Sequence, residues 1–160
     1  MSWHLAQVNV ARFRRPTDHP DNADFMNNLD RVNAIAEASP GFVWRLKGEG
    51  NDATDLQAFA DPMVAINMSV WESVEALAAF AYRNMDHRSI MRRRREWFDE
   101  MQVYRVLWWL PAGALPTLDD ARAKLELLER LGPTADAFTF RQPFPAPDAI
   151  EQKPVLEECG

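Results

Sequence analysis

Residues with the chemical equipment to hold or transform a small molecule fall on three segments of this sequence. Gln7 and Asn9 share one side of an alternating stretch over residues 5–11, and Asn67, Ser69 and Trp71 share one side of another over residues 64–71. His87 opens a third segment, in which Met91, Arg94 and Phe98 follow at i+4, i+7 and i+11, on the same helical face. Carboxamides and hydroxyls inside a domain need hydrogen-bond partners or a wet cavity. A pocket between a sheet and its helices supplies that cavity and accounts for all five strand residues together. A neutral imidazole at the mouth of a helix binds a metal, takes a proton or caps the helix. An arginine two turns away on the same face suits an anionic, flat or aromatic ligand.

Each residue also has a plainer role. Asn9 and Asn67 satisfy one another across neighbouring strands, Trp71 anchors a core at a strand end, Ser73 caps a helix, and His87 sits on the surface at a helix start. His4 and His19 have no metal-ligand spacing with any other residue. The sequence carries no Gly-rich phosphate loop, no cysteine-based metal motif and no serine nucleophile motif.

The elements that must position these residues follow from periodicity. Residues 5–11 alternate with Ala6, Val8 and Val10 on one face and Leu5, Gln7, Asn9 and Ala11 on the other, which predicts a strand. After a polar loop with two prolines, Phe25, Leu29, Val32, Ile35 and Ala36 recur at helical spacing, with Asp21 or Asn22 placed to cap. Ser39-Pro40-Gly41 stops that helix. Residues 42–46 make a second strand, carrying Trp44, and residues 64–71 a third, joined by a long polar hairpin loop. Ser73 caps a helix to about residue 83, with Val74, Leu77, Ala78 and Ala81 as its core stripe and Phe80 as a further candidate for it. Asp86 caps a further piece from 87 to about 100. Residues 103–110 form a fourth strand, apolar on both faces. Thr117 caps a last helix with core positions Leu118, Ala121, Leu125, Leu128 and Leu131, ended by Gly132-Pro133. A short edge strand over residues 138–140 follows.

The order β-α-β-β-α-β plus a C-terminal helix predicts an α+β, ferredoxin-like four-stranded antiparallel sheet with helices on one face. Residues 1–142 make that domain, and residues 143–160 a Pro-rich, acidic C-terminal tail. The apolar outer face of the sheet calls for a cover, most simply a second copy of the same sheet, hence a homodimer.

A length of 160 residues suits one domain. The net charge of −6 offers no global field for nucleic acid, and the run Arg92-Arg93-Arg94-Arg95 is too local to reverse that. Cys159 is the only cysteine, so no intramolecular disulfide forms, as in a reducing compartment. The sequence shows no signal-peptide pattern and no apolar run approaching the roughly 20 residues of a membrane span. The cytoplasm is the expected location.

Pro40-Gly41-Phe42, Ser69-Val70-Trp71-Glu72-Ser73 and the order of elements resemble the dimeric α+β barrel superfamily, which includes the antibiotic-biosynthesis monooxygenases. More closely, residues 4–9, 39–45, 67–77, 92–98 and 108–113 resemble domain-of-unknown-function family 3291, over about residues 4–141. Asn9, Trp71 and His87 are also similar in order and element to an Asn, a Trp and a His of heme-degrading monooxygenases. There the His ligates iron, and the Asn and Trp shape the distal pocket. The resemblance implies a monooxygenase-like dimer taking a hydrophobic, aromatic or heme-like ligand. His87 would be metal ligand or base, Asn9 and Trp71 catalytic, and Arg94, Trp44, Met91 and Asn67 would line the ligand. Two alternatives are cofactor-free oxidation or rearrangement of an aromatic substrate and a non-catalytic ligand-binding dimer.

Overall fold

The computed structural model of the chain describes residues 2–48, 52–54, 56–101 and 104–148. Val103, Cys159 and the tail past residue 148 lie outside them.

β1 (Trp3–Phe13) is paired on both edges along its length. Its alternation puts Ala6, Val8 and Val10 on one face and Leu5, Gln7 and Asn9 on the other, all buried except half-buried Asn9. β3 (Val64–Trp71) runs antiparallel on one side, with Leu5 opposite Trp71, Gln7 opposite Ser69 and Asn9 opposite Asn67. β5 (Arg105–Pro111) runs antiparallel on the other, with Leu5 opposite Trp109, Gln7 opposite Leu107 and Asn9 opposite Arg105. β2 (Phe42–Arg45) pairs with the outer edge of β3, and the two-residue β4 (Phe98–Asp99) pairs with the end of β1. The sheet order β2-β3-β1-β5 and the β-α-β-β-α-β connectivity are those of the expected ferredoxin-like α+β fold.

α1 (Ala23–Ala38) starts at Asn22, whose side chain is buried and donates to the Arg15 and Pro16 carbonyls, fastening the preceding loop instead of capping the helix. α1 ends before Gly41, which has φ +85 and whose absent Cβ would stand 2.5 Å from the Ala76 Cβ. A side chain there would be strained and would push apart β2 and α2 (Val74–Ala78). Ser73 caps α2 as expected, accepting from Ala76 N–H.

The expected continuous helix over 87–100 is instead α3 (Met85–Arg92) and the single turn α4 (Arg94–Trp97). Its cap is Asn84, accepting from His87 N–H at 3.1 Å, while the expected cap Asp86 falls inside the helix. Asn84 has ψ 121, extended geometry that lets its side chain reach back over the new helix start.

α5 (Leu118–Leu131) has the predicted Thr117 cap, reciprocated by Asp120 in a capping box. Its buried residues Ala121, Leu125 and Leu128 pack on Ala6, Val8, Val10, Met68 and Val106. Leu131, expected in the core, is 60% exposed because it lies in the last turn, beyond the sheet. Helices α1 and α2 cover the opposite face, where Leu5, Trp71 and Leu107 meet Ala36, Leu77 and Phe138. The sheet is therefore covered on both faces by its own chain. The face expected to await a second copy is the one that α5 occupies.

After α5, Phe138 exchanges two 2.8 Å backbone bonds with Leu107 on the free edge of β5. The Trp109 indole donates to the Phe144 carbonyl at 2.9 Å, so the chain stays packed past residue 142, at least to Phe144.

Leu125→Ala should cost about 2–5 kcal/mol, the usual range for truncating a buried leucine. Leu131→Ala should fall within about 0.5 kcal/mol of wild type, as exposed positions do. Urea denaturation of the two variants checks the contrast, and equal losses would refute this placement of α5.

Candidate functional site

Between the polar-bearing face of the sheet and helices α1, α2 and α3 lies a cavity of about 190 Å³. Its floor is Gln7, Asn9, Asn67 and Ser69. Its walls are aromatic and aliphatic: Phe25, Leu29 and Val32 from α1, Phe42 and Trp71 from the strand ends, and Phe80, Ile90 and Met91 from the helices opposite.

The floor is held by one carboxamide. Gln7 Nε2 donates to Asn67 Oδ1 and to Ser69 Oγ, both at 2.8 Å, and the Trp71 indole N–H donates to the same Ser69 oxygen at 2.8 Å. A hydroxyl oxygen accepts through two lone pairs, so the Ser69 proton is left to be donated. The bond that Asn67 makes goes to Gln7 rather than to Asn9, its direct cross-strand neighbour. The Asn9 carboxamide has no hydrogen-bond partner among the described residues and borders the cavity. Trp71, fully buried, is fixed at its N–H by Ser69 and at its ring by Phe42 (5.4 Å, edge-on) and Phe80 (5.5 Å, stacked).

His87 is delivered by an irregular helix. After α2 the chain widens into a π-helical turn, Ala79–Arg83, which stops at extended Asn84. The Ala81 carbonyl accepts from the His87 side chain, with the ring nitrogen Nδ1 at 2.9 Å. A carbonyl only accepts, so Nδ1 carries the proton and Nε2 the lone pair. Nε2 has no hydrogen-bond partner among the described residues. The ring packs at 4.8 Å from Phe80 and borders the cavity. Burial lowers the His87 pKa below its ordinary 6.5, opposed by the Ala81 bond and assisted by the nearby Arg105 charge. The imidazole is neutral at pH 7.

The structure brings together His87, Asn9, Trp71, Asn67 and Met91 around one cavity. Two expected residues stand elsewhere. Trp44 packs against the opposite face, beside Val70, because the irregularity between Phe42 and Trp44 sets its register. Arg94 does not border the cavity either. The helix breaks at Arg93, and the Arg94 guanidinium lies 4.5 Å from the Tyr104 ring centroid. Arg105 and Phe80 also border the cavity; Phe80 was expected only as a candidate for the helix stripe, and Arg105 was not anticipated. The available signal was parity: Arg105 shares a face with Leu107 and Trp109, so it is a charge on the inward side of an apolar strand.

The Nε2 lone pair fits an axial heme ligand, but the space does not fit a porphyrin. Phe80 stands between Trp71 and His87, and 190 Å³ lies below the roughly 300–1,000 Å³ of pockets for drug-sized ligands. Among the described residues no group of three or more His, Cys, Asp or Glu could hold a metal ion. Among them, too, no helix is long and apolar enough to cross a membrane.

The profile of the family described as "Domain of unknown function (DUF3291)" matches residues 4–154. No curated protein matches the chain. Among solved structures it is similar to PA3566 from Pseudomonas aeruginosa, at 13% identity, 71% coverage of this chain and 98% of that one, with a TM-score of 0.47. It is similar to Rv0793 from Mycobacterium tuberculosis at 14% identity, 71% and 99% coverage and TM-score 0.47. A third is a monooxygenase from the ActVA-Orf6 gene of Streptomyces coelicolor, solved with nanaomycin D, at 16% identity, 72% and 94% coverage and TM-score 0.44.

The lowered His87 pKa has a consequence for stability. Below pH 6.5 the unfolded chain protonates this imidazole before the folded chain does, so its contribution falls as pH drops from 6.5 toward the folded value. Thermal melts of wild type and His87→Gln should diverge in slope only in that window. Parallel curves from pH 7.5 to 5 would show that the imidazole is solvated.

Proposed function

The chain belongs to the DUF3291 family, and on that footing we propose that it is a cofactor-free, monooxygenase-like enzyme in which His87 takes a proton from a small electron-rich aromatic substrate. The observation that carries this reading is the tautomer: Nδ1 is committed to the Ala81 carbonyl, and Nε2 keeps its lone pair in a cavity walled by aromatic rings.

A single flat ring suits the volume and the faces of Trp71 and Phe80. Burial keeps the imidazole in its basic form at neutral pH, the state a general base requires. Loss of an O–H proton to Nε2 turns a phenol into a phenolate, which gives up electrons more readily. The Asn9 carboxamide and the Ser69 hydroxyl are the donors left to meet developing negative charge. For an ortho- or para-dihydric phenol the balance is complete with dioxygen alone. Two protons and two electrons leave the ring, which becomes a quinone, and dioxygen takes them up as hydrogen peroxide. The resemblance to the antibiotic-biosynthesis monooxygenases implies oxidative chemistry in general; this balance is that of an oxidase, with both oxygen atoms leaving as hydrogen peroxide.

An oxygen electrode tests the proposal with hydroquinone-type substrates. Wild type should accelerate oxygen uptake, and His87→Ala should lose about 100-fold or more of that acceleration, as removal of a general base commonly does. Equal rates for both proteins, with the variant folded, would overturn it. A Soret band on heme addition that disappears in His87→Ala would also overturn it, in favour of iron ligation.

A further inference from the structure

The cavity has a cationic wall where β5 begins. Arg105 stands opposite Asn9 in the sheet register, on the cavity face. Its guanidinium lies 5.6 Å from the Phe140 ring centroid and 5.7 Å from that of Tyr104, and one N–H donates to the Tyr82 hydroxyl at 3.0 Å. Arg94 covers the other approach to Tyr104 at 4.5 Å. Neither arginine has a carboxylate within ion-pair distance among the described residues, in a chain whose net charge is −6. The other cavity-facing arginine differs: Arg45, buried, is paired to Glu37 at 2.6 Å.

We propose that Arg105 is the anion-recognition residue of this cavity and that the natural ligand is a small aromatic carboxylate. The proposal rests on reading the cavity as a ligand site and adds the ligand's charged group. Aromatic packing fixes the guanidinium plane, and Tyr82 occupies one N–H, so the remaining edge of the fork is available. A planar carboxylate matches that edge with two parallel hydrogen bonds. A single cavity-facing arginine without a carboxylate partner matches one negative charge, whereas a phosphate would call for more donors. Asn9 lies beside Arg105, so a ring whose carboxylate meets Arg105 lies over the floor with its hydroxyls toward the helices that carry His87. With the proton chemistry above, the substrate class becomes a dihydroxybenzoate-like acid.

Binding of benzoate and of its neutral isostere benzamide to the full chain, followed by calorimetry, tests this without turnover. Benzoate should bind about tenfold or more tightly than benzamide, as expected of a charge-assisted pair. Arg105→Gln should abolish that preference, mainly by weakening benzoate binding. Arg105→Lys should retain part of it, because the charge remains and the fork is lost. Arg94→Gln should leave the preference intact. Thermal melts confirm that each variant is folded. Equal affinity for the two ligands, or a preference that survives in Arg105→Gln, would overturn the assignment while leaving the cavity as a ligand site. Binding of neither ligand at millimolar concentration would overturn both.

Discussion

The Gln7 carboxamide sets the geometry on which the rest of the site depends. Left unpaired in the interior, an amide costs about 1–3 kcal/mol. Gln7 avoids that cost by placing one N–H on Asn67 and the other on Ser69, both on the strand beside it. A slip of one residue in β3 against β1 would turn Asn67 and Ser69 into the aliphatic face and Met68 onto the cavity face, leaving Gln7 without either acceptor. The polar network therefore opposes register error and keeps one face of the sheet hydrophilic enough to floor a cavity. Ser69 carries the network to Trp71, so the wall of the cavity is fixed by the same bonds as its floor.

Above that floor the helical layer is deliberately irregular in its hydrogen bonding. The π-helical turn and the extended Asn84 interrupt the helix ladder, and the Ala81 carbonyl takes the His87 side chain as a partner. π-Turns recur at functional sites because they re-aim side chains within a helical segment. Here the re-aimed group is an imidazole with a defined tautomer, placed in contact with Phe80 and within the field of Arg105. The histidine owes its neutrality first to burial, which disfavours its charged form.

The two faces of the sheet divide the work. α5 seals the aliphatic face with Ala121, Leu125 and Leu128, packed on Val8, Met68 and Val106. The other face is incompletely filled and polar. The aliphatic core and the candidate cavity therefore occupy opposite sides of β1, which is buried on both. This division also answers the apolar outer face of the strand pattern from within the chain, so that pattern by itself no longer requires a second copy.

Alternation and helical spacing were enough to specify the strands other than the two-residue β4, the order of the main elements and the faces of β1 and β3, because side-chain direction in a strand has a period of two whatever the strand packs against. The same rule put Gln7, Asn9, Asn67, Ser69 and Trp71 on one surface. Caps with one dominant local interaction, Ser73 and Thr117, were legible for the same reason. Tertiary structure decided what depends on contacts distant in sequence. The sheet face taken by α5 depends on the path of its connection, not on its own stripe. The exclusion of Arg94 follows from a helix break at Arg93, and the exclusion of Trp44 from a register shift in β2, neither of which leaves a periodic trace. The tautomer of His87 depends on which carbonyl a π-turn leaves available. Arg105 was visible as a charge in an apolar strand, but its want of a carboxylate among the described residues is a property of its neighbours in space, which spacing along the chain does not encode.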